Sequence, residues 1–537
     1  MLLSAIVVGL MASALAVGGT ITVCGDGSGM YTTIQGGINA ATGTDEVVVC
    51  PGVYTMSVAP LNFHGKAITV RSADDDPATC LIVGGVVFSS GEGTSSVLRG
   101  FSIQGTGVGC AVSAPTIENC WISGAGVGID CEMASPTING CTIFNNSGSG
   151  VVSETFSGDG PILSDTTISG NGGHGITCSG SGGISLVVDD CLIAGNTGDG
   201  IRLVSEGASG SITDSTIEGN GGRGIYSYVY GGQPTISRCI ISGNLSGGIH
   251  WNNYDESVNI SHCVIADNSA SDSGGGIACI NSVSAGTVFN CLLSGNSTGQ
   301  NGGGVYCSGG QGPNIVNSTF YGNSAAGYGG GICCSKYNVG SVSDCILWSD
   351  SAANGDEIAV LNEGITGAQL TVAYSDLELG ASAFFVESGC ALNLGSGNIF
   401  TSPLFVAGPA GCYYLSQTAA GQGQQSPCVD AGSTTAAGAG LTGRTTRTDE
   451  TGDGGTVDLG YHHAVTGAPM LGGDFNFDGV VDAGDYADFA NCFSGPCVTP
   501  PCTIPLYDGP CCGVGDFEGD GDIDLIDFAG FQAAFTD

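Results

Sequence analysis

The chain has 537 residues, of which 97 are Gly and 42% are hydrophobic, with 9 Lys and Arg against 49 Asp and Glu for a formal net charge of −40. That length allows two to four domains and a substantial core; the lack of a Gly-X-Y period excludes collagen, and the regular return of Ile, Val and Leu argues against disorder. So acidic a surface repels phosphate backbones and excludes nucleic acid as a partner; it argues less strongly against cationic capture of polyanionic glycans, because Ca2+ can bridge acid to acid.

Met1 to Ala16 is a short apolar run ending in Ala14-Leu15-Ala16, the A-x-A pattern of a cleaved signal peptide, although it lacks a basic start. It predicts a segment 1–16 that is removed and a mature chain that is secreted or held at the cell surface. No later run is long enough to span a bilayer. In an exported chain, 25 Cys would ordinarily mean disulfides.

From about residue 100 to 350 one phrase returns: Cys120-Trp-Ile-Ser-Gly-Ala125, Cys191-Leu-Ile-Ala-Gly-Asn196, Ser215-Thr-Ile-Glu-Gly-Asn220, Cys239-Ile-Ile-Ser-Gly-Asn244, and so on to Cys345-Ile-Leu-Trp-Ser-Asp350. A second phrase follows each, as in Gly128-Ile-Asp-Cys131 or Gly304-Val-Tyr-Cys307. Both alternate inward and outward residues over short β-rich runs bounded by Gly, Asn and Ser. Short strands and tight turns repeating about every 24 residues describe the coils of a single-stranded parallel β-helix, expected over 17–350. Coils stack at about 4.8 Å, so the recurrent Asn should form a hydrogen-bonded ladder. The Cys, Ser or Thr five residues earlier should point inward, Cys acting as a compact hydrophobe. Neighbours such as Cys239 and Cys263 have the Cα spacing for a bridge, but parallel in-register side chains seldom reach its torsion, so free stacked thiols are expected.

The entry segment Asp26-Gly-Ser-Gly-Met-Tyr-Thr-Thr-Ile-Gln-Gly-Gly-Ile-Asn-Ala-Ala41, followed by Val47-Val-Val-Cys-Pro-Gly-Val-Tyr54, resembles the start of pectin-lyase-like right-handed β-helix proteins. That resemblance implies an all-β, right-handed solenoid with an N-terminal capping helix, here about Tyr31 to Ala41. The Gly-Gly-Gly-Ile and Phe320-Tyr-Gly-Asn323 phrases resemble repeats of polymorphic outer-membrane adhesins. From 351 to 465 the period is lost, and phrases such as Ser426-Pro-Cys-Val-Asp-Ala-Gly432 resemble the closing region of secreted β-helix proteins. This stretch is expected to form terminal coils and a C-cap, which a solenoid needs over its open end.

Gly173-His174-Gly175 near Asp189-Asp190 invites a polygalacturonase reading, but in that family the Asp pair precedes the Gly-His-Gly. In the repeat, His174 fills the variable slot of Asp199 and Arg223, and Asp189-Asp190 the polar turn before a strand. Lyase chemistry would need a Lys, Arg or Tyr base beside a metal-bound carboxylate, and the coils offer few cations, among them Arg99, Arg202, Arg223, Arg238 and Lys336. No catalytic residue is assigned. One outward column places Arg202, Tyr226 and His250 on successive coils, with Tyr228 and Asn252 two residues on. Aromatic, cationic and amide groups in a row suit a sugar chain.

Residues 466–537 carry two 12-residue loops with oxygen ligands at positions 1, 3, 5, 7, 9 and 12 and Gly at 6. The first gives Asp474, Asn476, Asp478, the Val480 carbonyl, Asp482 and Asp485; the second gives Asp516, Glu518, Asp520, the Asp522 carbonyl, Asp524 and Asp527. A helix is expected after each, and two Ca2+ ions are implied. This tail resembles a type I dockerin, a small α-helical EF-hand-like domain, whose family binds cohesin modules on scaffolding proteins. The family's specificity pair is replaced here by Ala483-Gly484 and Leu525-Ile526, so calcium binding carries over better than cohesin recognition. The expectation is a secreted β-helix protein that binds polysaccharide or a cell-surface partner and docks through its calcium module. The alternatives are a polysaccharide lyase or glycoside hydrolase of the same fold, and a structural or adhesive envelope protein.

Overall fold

The computed structural model describes residues 18–465, apart from 57, 155–157, 208, 231, 233, 254–258, 283–285 and 365–366. The expected signal peptide and both calcium loops lie outside the described residues. The coils divide into two compact units, one holding the residues up to Ser179 with Ser185–Val187, the other Gly180–Ile184 and the residues from Val188 onward.

In the first unit, inward Ile residues stack coil on coil: Ile122 is in register with Ile143 and Ile143 with Ile168, in parallel strands, and Ile129 stacks on Val151 and Val151 on Ile176. The capping helix spans Ile34–Ala40, three residues later than the sequence suggests, because the Thr33 side chain accepts from the Gly36 N–H and starts the helix there. Ile34 and Ile38 are fully buried. Cys24 and Cys50, on neighbouring coils, form a disulfide that the repeat phrases do not reveal.

The second unit repeats the architecture with three columns. Ile201, Ile225, Ile249 and Ile277 form one, Ile212, Ile236 and Ile260 another, and Ile217, Ile241, Ile265 and Leu293 the third. All are buried, and each side chain taken from water contributes about 1.5–3 kcal/mol. The Gly before the first column is required by close approach: a Cβ on Gly224 would sit 2.6 Å from Ile241 Cγ2 and 2.8 Å from the Gly248 carbonyl oxygen.

The Asn ladder runs through Asn196, Asn220, Asn244, Asn268, Asn296 and Asn323. Each Nδ2 donates to the Oδ1 of the next at 2.9–3.0 Å, and each backbone N–H of this series reaches the same oxygen. The Cys/Ser/Thr slot is a second hydrogen-bonded column. Its side chain donates to the carbonyl two residues back, as in Ser215 Oγ to Thr213 and Cys263 Sγ to Ser261. It also accepts from the slot residue of the preceding coil, as in Cys191 N–H to Ser215 Oγ and Cys239 N–H to Cys263 Sγ. The slot therefore selects a small side chain that can donate and accept, and the thiols here are free and buried; a bridge would remove the donor.

Coil pairing continues to Ala391–Leu394. The chain then folds back as a cap on the flank of its own coils, with antiparallel pairs Phe405–Gly408 with Gly411–Leu415 and Arg444–Thr445 with His463–Ala464. Its last stretch follows the left-handed turn residues that precede each strand. Asn290 exchanges two hydrogen bonds with the His462 backbone, Asp344 O accepts from Gly460 N–H, and Thr319 Oγ1 accepts from Tyr461 N–H. Tyr413 and Tyr461 bury Leu292 beneath them. Among the described residues no helix is long and apolar enough to cross a membrane.

Candidate functional site

Asp190 (φ 49°) occupies the left-handed turn position shared with Asp214, Arg238 and Asn290, which explains a short polar residue there without catalysis. The five cations singled out above are all paired: Arg99 with Asp75, Arg202 with Asp199, Arg223 with Asp272, Arg238 with Asp214 and Lys336 with Glu363.

The column Arg202, Tyr226, His250 is in direct register on strands Ile201–Glu206, Ile225–Tyr230 and Ile249–Asn253, with Tyr228 opposite Asn252 two residues on. Alternation turns these side chains outward while Ile201, Ile225 and Ile249 point in. The structure adds three residues from the turns: Asp199, Arg223 and Asp272. Arg202 Cζ lies 4.6 Å and Arg223 Cζ 4.9 Å from the centre of the Tyr226 ring, and the His250 ring is 5.4 Å from it, tilted by 33°. Arg202 Nη1 and Arg223 Nη2 each meet a carboxylate oxygen at 3.0 Å, from Asp199 and Asp272 respectively. Asp199 Oδ1 also accepts from the Arg223 N–H at 2.9 Å.

Burial, and next the Arg223 charge, push the His250 imidazole down to about 4, so it is neutral near pH 7 and can donate and accept. Arg223 Nε is buried and has no partner. Asn252 Oδ1 accepts weakly from Asn281 Nδ2 at 3.4 Å. The cluster is thus a neutralised, donor-rich surface rather than a bare cationic patch. Two arginines near its ring make Tyr226 less a free stacking platform than the sequence implies. The turn residues were readable in part, since Asp199 and Arg223 fill the same Gly-x-Gly slot one coil apart.

A second cluster stands where the Asn ladder ends. Asp350 takes the ladder position, its Oδ1 accepting from the Asn323 N–H and Nδ2 at 2.7 and 2.9 Å. Its carboxyl is in contact with that of Glu357, which is 1% exposed. Burial first, and then mutual proximity with Glu378 nearby, raises Glu357 well above the usual carboxylate range, and burial raises Asp350. Carboxyls in contact lack the gap of roughly 5–10 Å that glycosidic hydrolysis requires. The buried pair His462 and Asp453, 3.0 Å apart, is closed inside the cap.

The model of the right-handed β-helix region matches residues 61–209 and 158–301. With the parallel register above, it defines the class: the coils are those of a right-handed parallel β-helix. Similar solved structures include the catalytic domain of a GH87 alpha-1,3-glucanase (11% identity, 71% of this chain and 68% of that one, TM-score 0.34). Others are the Azotobacter vinelandii mannuronan C-5 epimerase AlgE4 A-module (11%, 69% and 95%, 0.37) and pectate lyase Pel9A (13%, 83% and 96%, 0.33). No curated protein matches the chain.

Proposed function

We propose that this is an exported β-helix protein that binds a neutral polysaccharide along the face of Arg202, Tyr226 and His250. The observation that carries the reading is the pairing of both arginines with Asp199 and Asp272 around Tyr226. Guanidinium N–H groups, a neutral imidazole and a phenol offer hydrogen bonds to hydroxyls, while the paired charges leave little net attraction for a polyanion. Tyr228 and Asn252 extend the same face.

In this reading the tail holds the protein in place. Its donors, four carboxylates in the first loop and five in the second with an amide and main-chain carbonyls, are the hard oxygen set that Ca2+ takes. With two ions bound, the tail would dock to a cohesin-like or cell-surface protein. The alternative of a polysaccharide-degrading enzyme is tested in the same experiment. The purified chain is passed over a panel of insoluble polysaccharides, scoring retention together with new reducing or unsaturated ends. Retention on a neutral glycan, weakened about tenfold or more by Tyr226→Ala and His250→Ala, is expected. Retention indifferent to both substitutions removes the proposed face, and new chain ends favour the enzyme.

A further inference from the structure

The ladder ends on an acid where every earlier position of the second unit is an amide. Within the ladder each Asn both accepts and donates, so Asn323 Nδ2 finds Asp350 Oδ1 as it would find another Asn. Asp350 has no N–H to pass on. Its carboxyl contacts that of Glu357, and Asp350 Oδ2 and Glu357 Oε2 are both buried with no hydrogen-bond partner. The two residues are 6% and 1% exposed. Two buried carboxyls in contact, each with an oxygen that has no donor, call for a proton or a positive charge between them.

Both residues line an open cavity of about 310 Å³. Asp356 and Glu378 line it too, with Ala352 N–H and Ser382 Oγ held at the two Asp356 oxygens and Ser349 N–H at Glu378 Oε2. Among the described residues none of the four carboxylates is in a salt bridge, and no three His, Cys, Asp or Glu side chains are set to hold an ion. The protein therefore offers two ligand oxygens, with a negative surround and room for several waters at about 30 Å³ each. Hard divalent cations are held in this way, by one or two carboxylates and a partly retained water shell.

We infer that Asp350 Oδ2 and Glu357 Oε2 form a site for one hydrated hard divalent cation, Ca2+ or Mg2+, that closes the C-terminal end of the Asn ladder. It is separate from the calcium loops of the tail and from the glycan-binding face.

Terbium(III) tests this in the full-length chain. The only three Trp are Trp121, Trp251 and Trp348, so the tail has none. Trp348 is two residues from Asp350, within about 7 Å along the chain. Excitation at the red edge, where Trp absorbs and Tyr does not, should give terbium emission that saturates and is competed away by Ca2+ or Mg2+. It should fall at least tenfold in Glu357→Gln and in Trp348→Phe. Asp350→Asn restores the ladder amide, guards against a variant that merely misfolds, and should lose the signal while keeping the wild-type circular dichroism. Absence of Trp-sensitised emission in the wild type overturns the inference and leaves a shared proton between the carboxyls. Emission that survives Glu357→Gln and Asp350→Asn, or that is lost instead in Asp474→Asn with Asp516→Asn, overturns it by placing the ion elsewhere.

Discussion

Asn244→Ala measures what the ladder contributes. Asn244 Oδ1 accepts from the Asn220 N–H at 3.1 Å and from Asn220 Nδ2 at 3.0 Å; its own Nδ2 donates to the Ile217 carbonyl and to Asn268 Oδ1. Truncation leaves Asn268 Oδ1 with the Asn244 backbone N–H at 3.1 Å and leaves Asn220 Nδ2 with the Ile193 carbonyl at 3.1 Å. Two donors lose their acceptor outright: the Asn220 N–H and one hydrogen of its amide. Asn220 and Asn244 are both 0% exposed, so water does not replace it. At about 1–3 kcal/mol for each buried donor left unsatisfied, the loss should be about 2–6 kcal/mol. The neighbouring Leu245 is 66% exposed, and Leu245→Ala should stay within about 0.5 kcal/mol. Urea unfolding followed by circular dichroism and Trp fluorescence gives both numbers. A loss below about 1 kcal/mol for Asn244→Ala, with an unchanged urea slope, would refute the account of the ladder as obligatory satisfaction of buried groups.

Asp376 is fully buried, 3.1 Å from Cys428 Sγ and 3.2 Å from the Thr401 N–H, and burial raises it from 3.8 to about 6. The folded state therefore holds a proton that the unfolded state has released, so this group's contribution falls as pH rises from about 4 to about 6, by about 3 kcal/mol. Asp376→Asn should flatten that part of the stability profile, and an unaltered slope between the two pH values would count against it. Tyr461→Ala should loosen the cap at a cost of about 3–5 kcal/mol, because the ring is buried against Leu292 and Tyr413; limited proteolysis should then cut first within 405–464, and a cap as resistant as wild type contradicts this. Removing Ca2+ with a chelator should reduce the far-ultraviolet helical signal of the tail while the β signal of the coils stays, since four and five carboxylates per loop repel one another without the ion. A spectrum indifferent to chelation is the opposing result.

The solenoid was legible because its interactions recur at a fixed period. The Ile of each phrase, the Asn and the small slot residue occupy the same place in coil after coil, so pattern alone located their columns. Interchange of Cys, Ser and Thr in one slot also held its explanation, a side chain that donates two residues back and accepts from the preceding coil, which the pattern of letters does not display. The lateral cap was written more faintly. The outward position beside the inner Ile is Thr216 in one coil and becomes Val264, Leu292 and Ile346 later, and two residues on Ser242 gives way to Tyr321 and Trp348. Those apolar residues look outward because Phe405, Tyr413, Leu415, Leu459 and Tyr461 cover them. The helix start was misplaced by three residues because Thr33 stops the backbone from being helical before it.

The candidate sites share one property that follows from the repeat itself. A ladder satisfies its members identically, so a coil that keeps the consensus has few polar groups to spare for a ligand. Departures create them. Asp199 and Arg223 enter a Gly-x-Gly slot that holds Gly247 one coil later, and they sit beside the strands that lengthen to six residues at Ile201–Glu206 and Ile225–Tyr230, against four at Ile129–Glu132. Asp350 enters the Asn column and leaves an oxygen without a donor. In each case the substitution costs the solenoid an internal hydrogen bond or a neutral turn, and the group released faces a surface or a cavity. A single-coil reversal separates the two roles: Arg223→Gly, which returns the slot to the residue of the next coil, should keep the folded stability within about 1 kcal/mol while reducing glycan retention. A variant that unfolds while retaining full affinity at low temperature would show instead that Arg223 serves the coil and not a ligand.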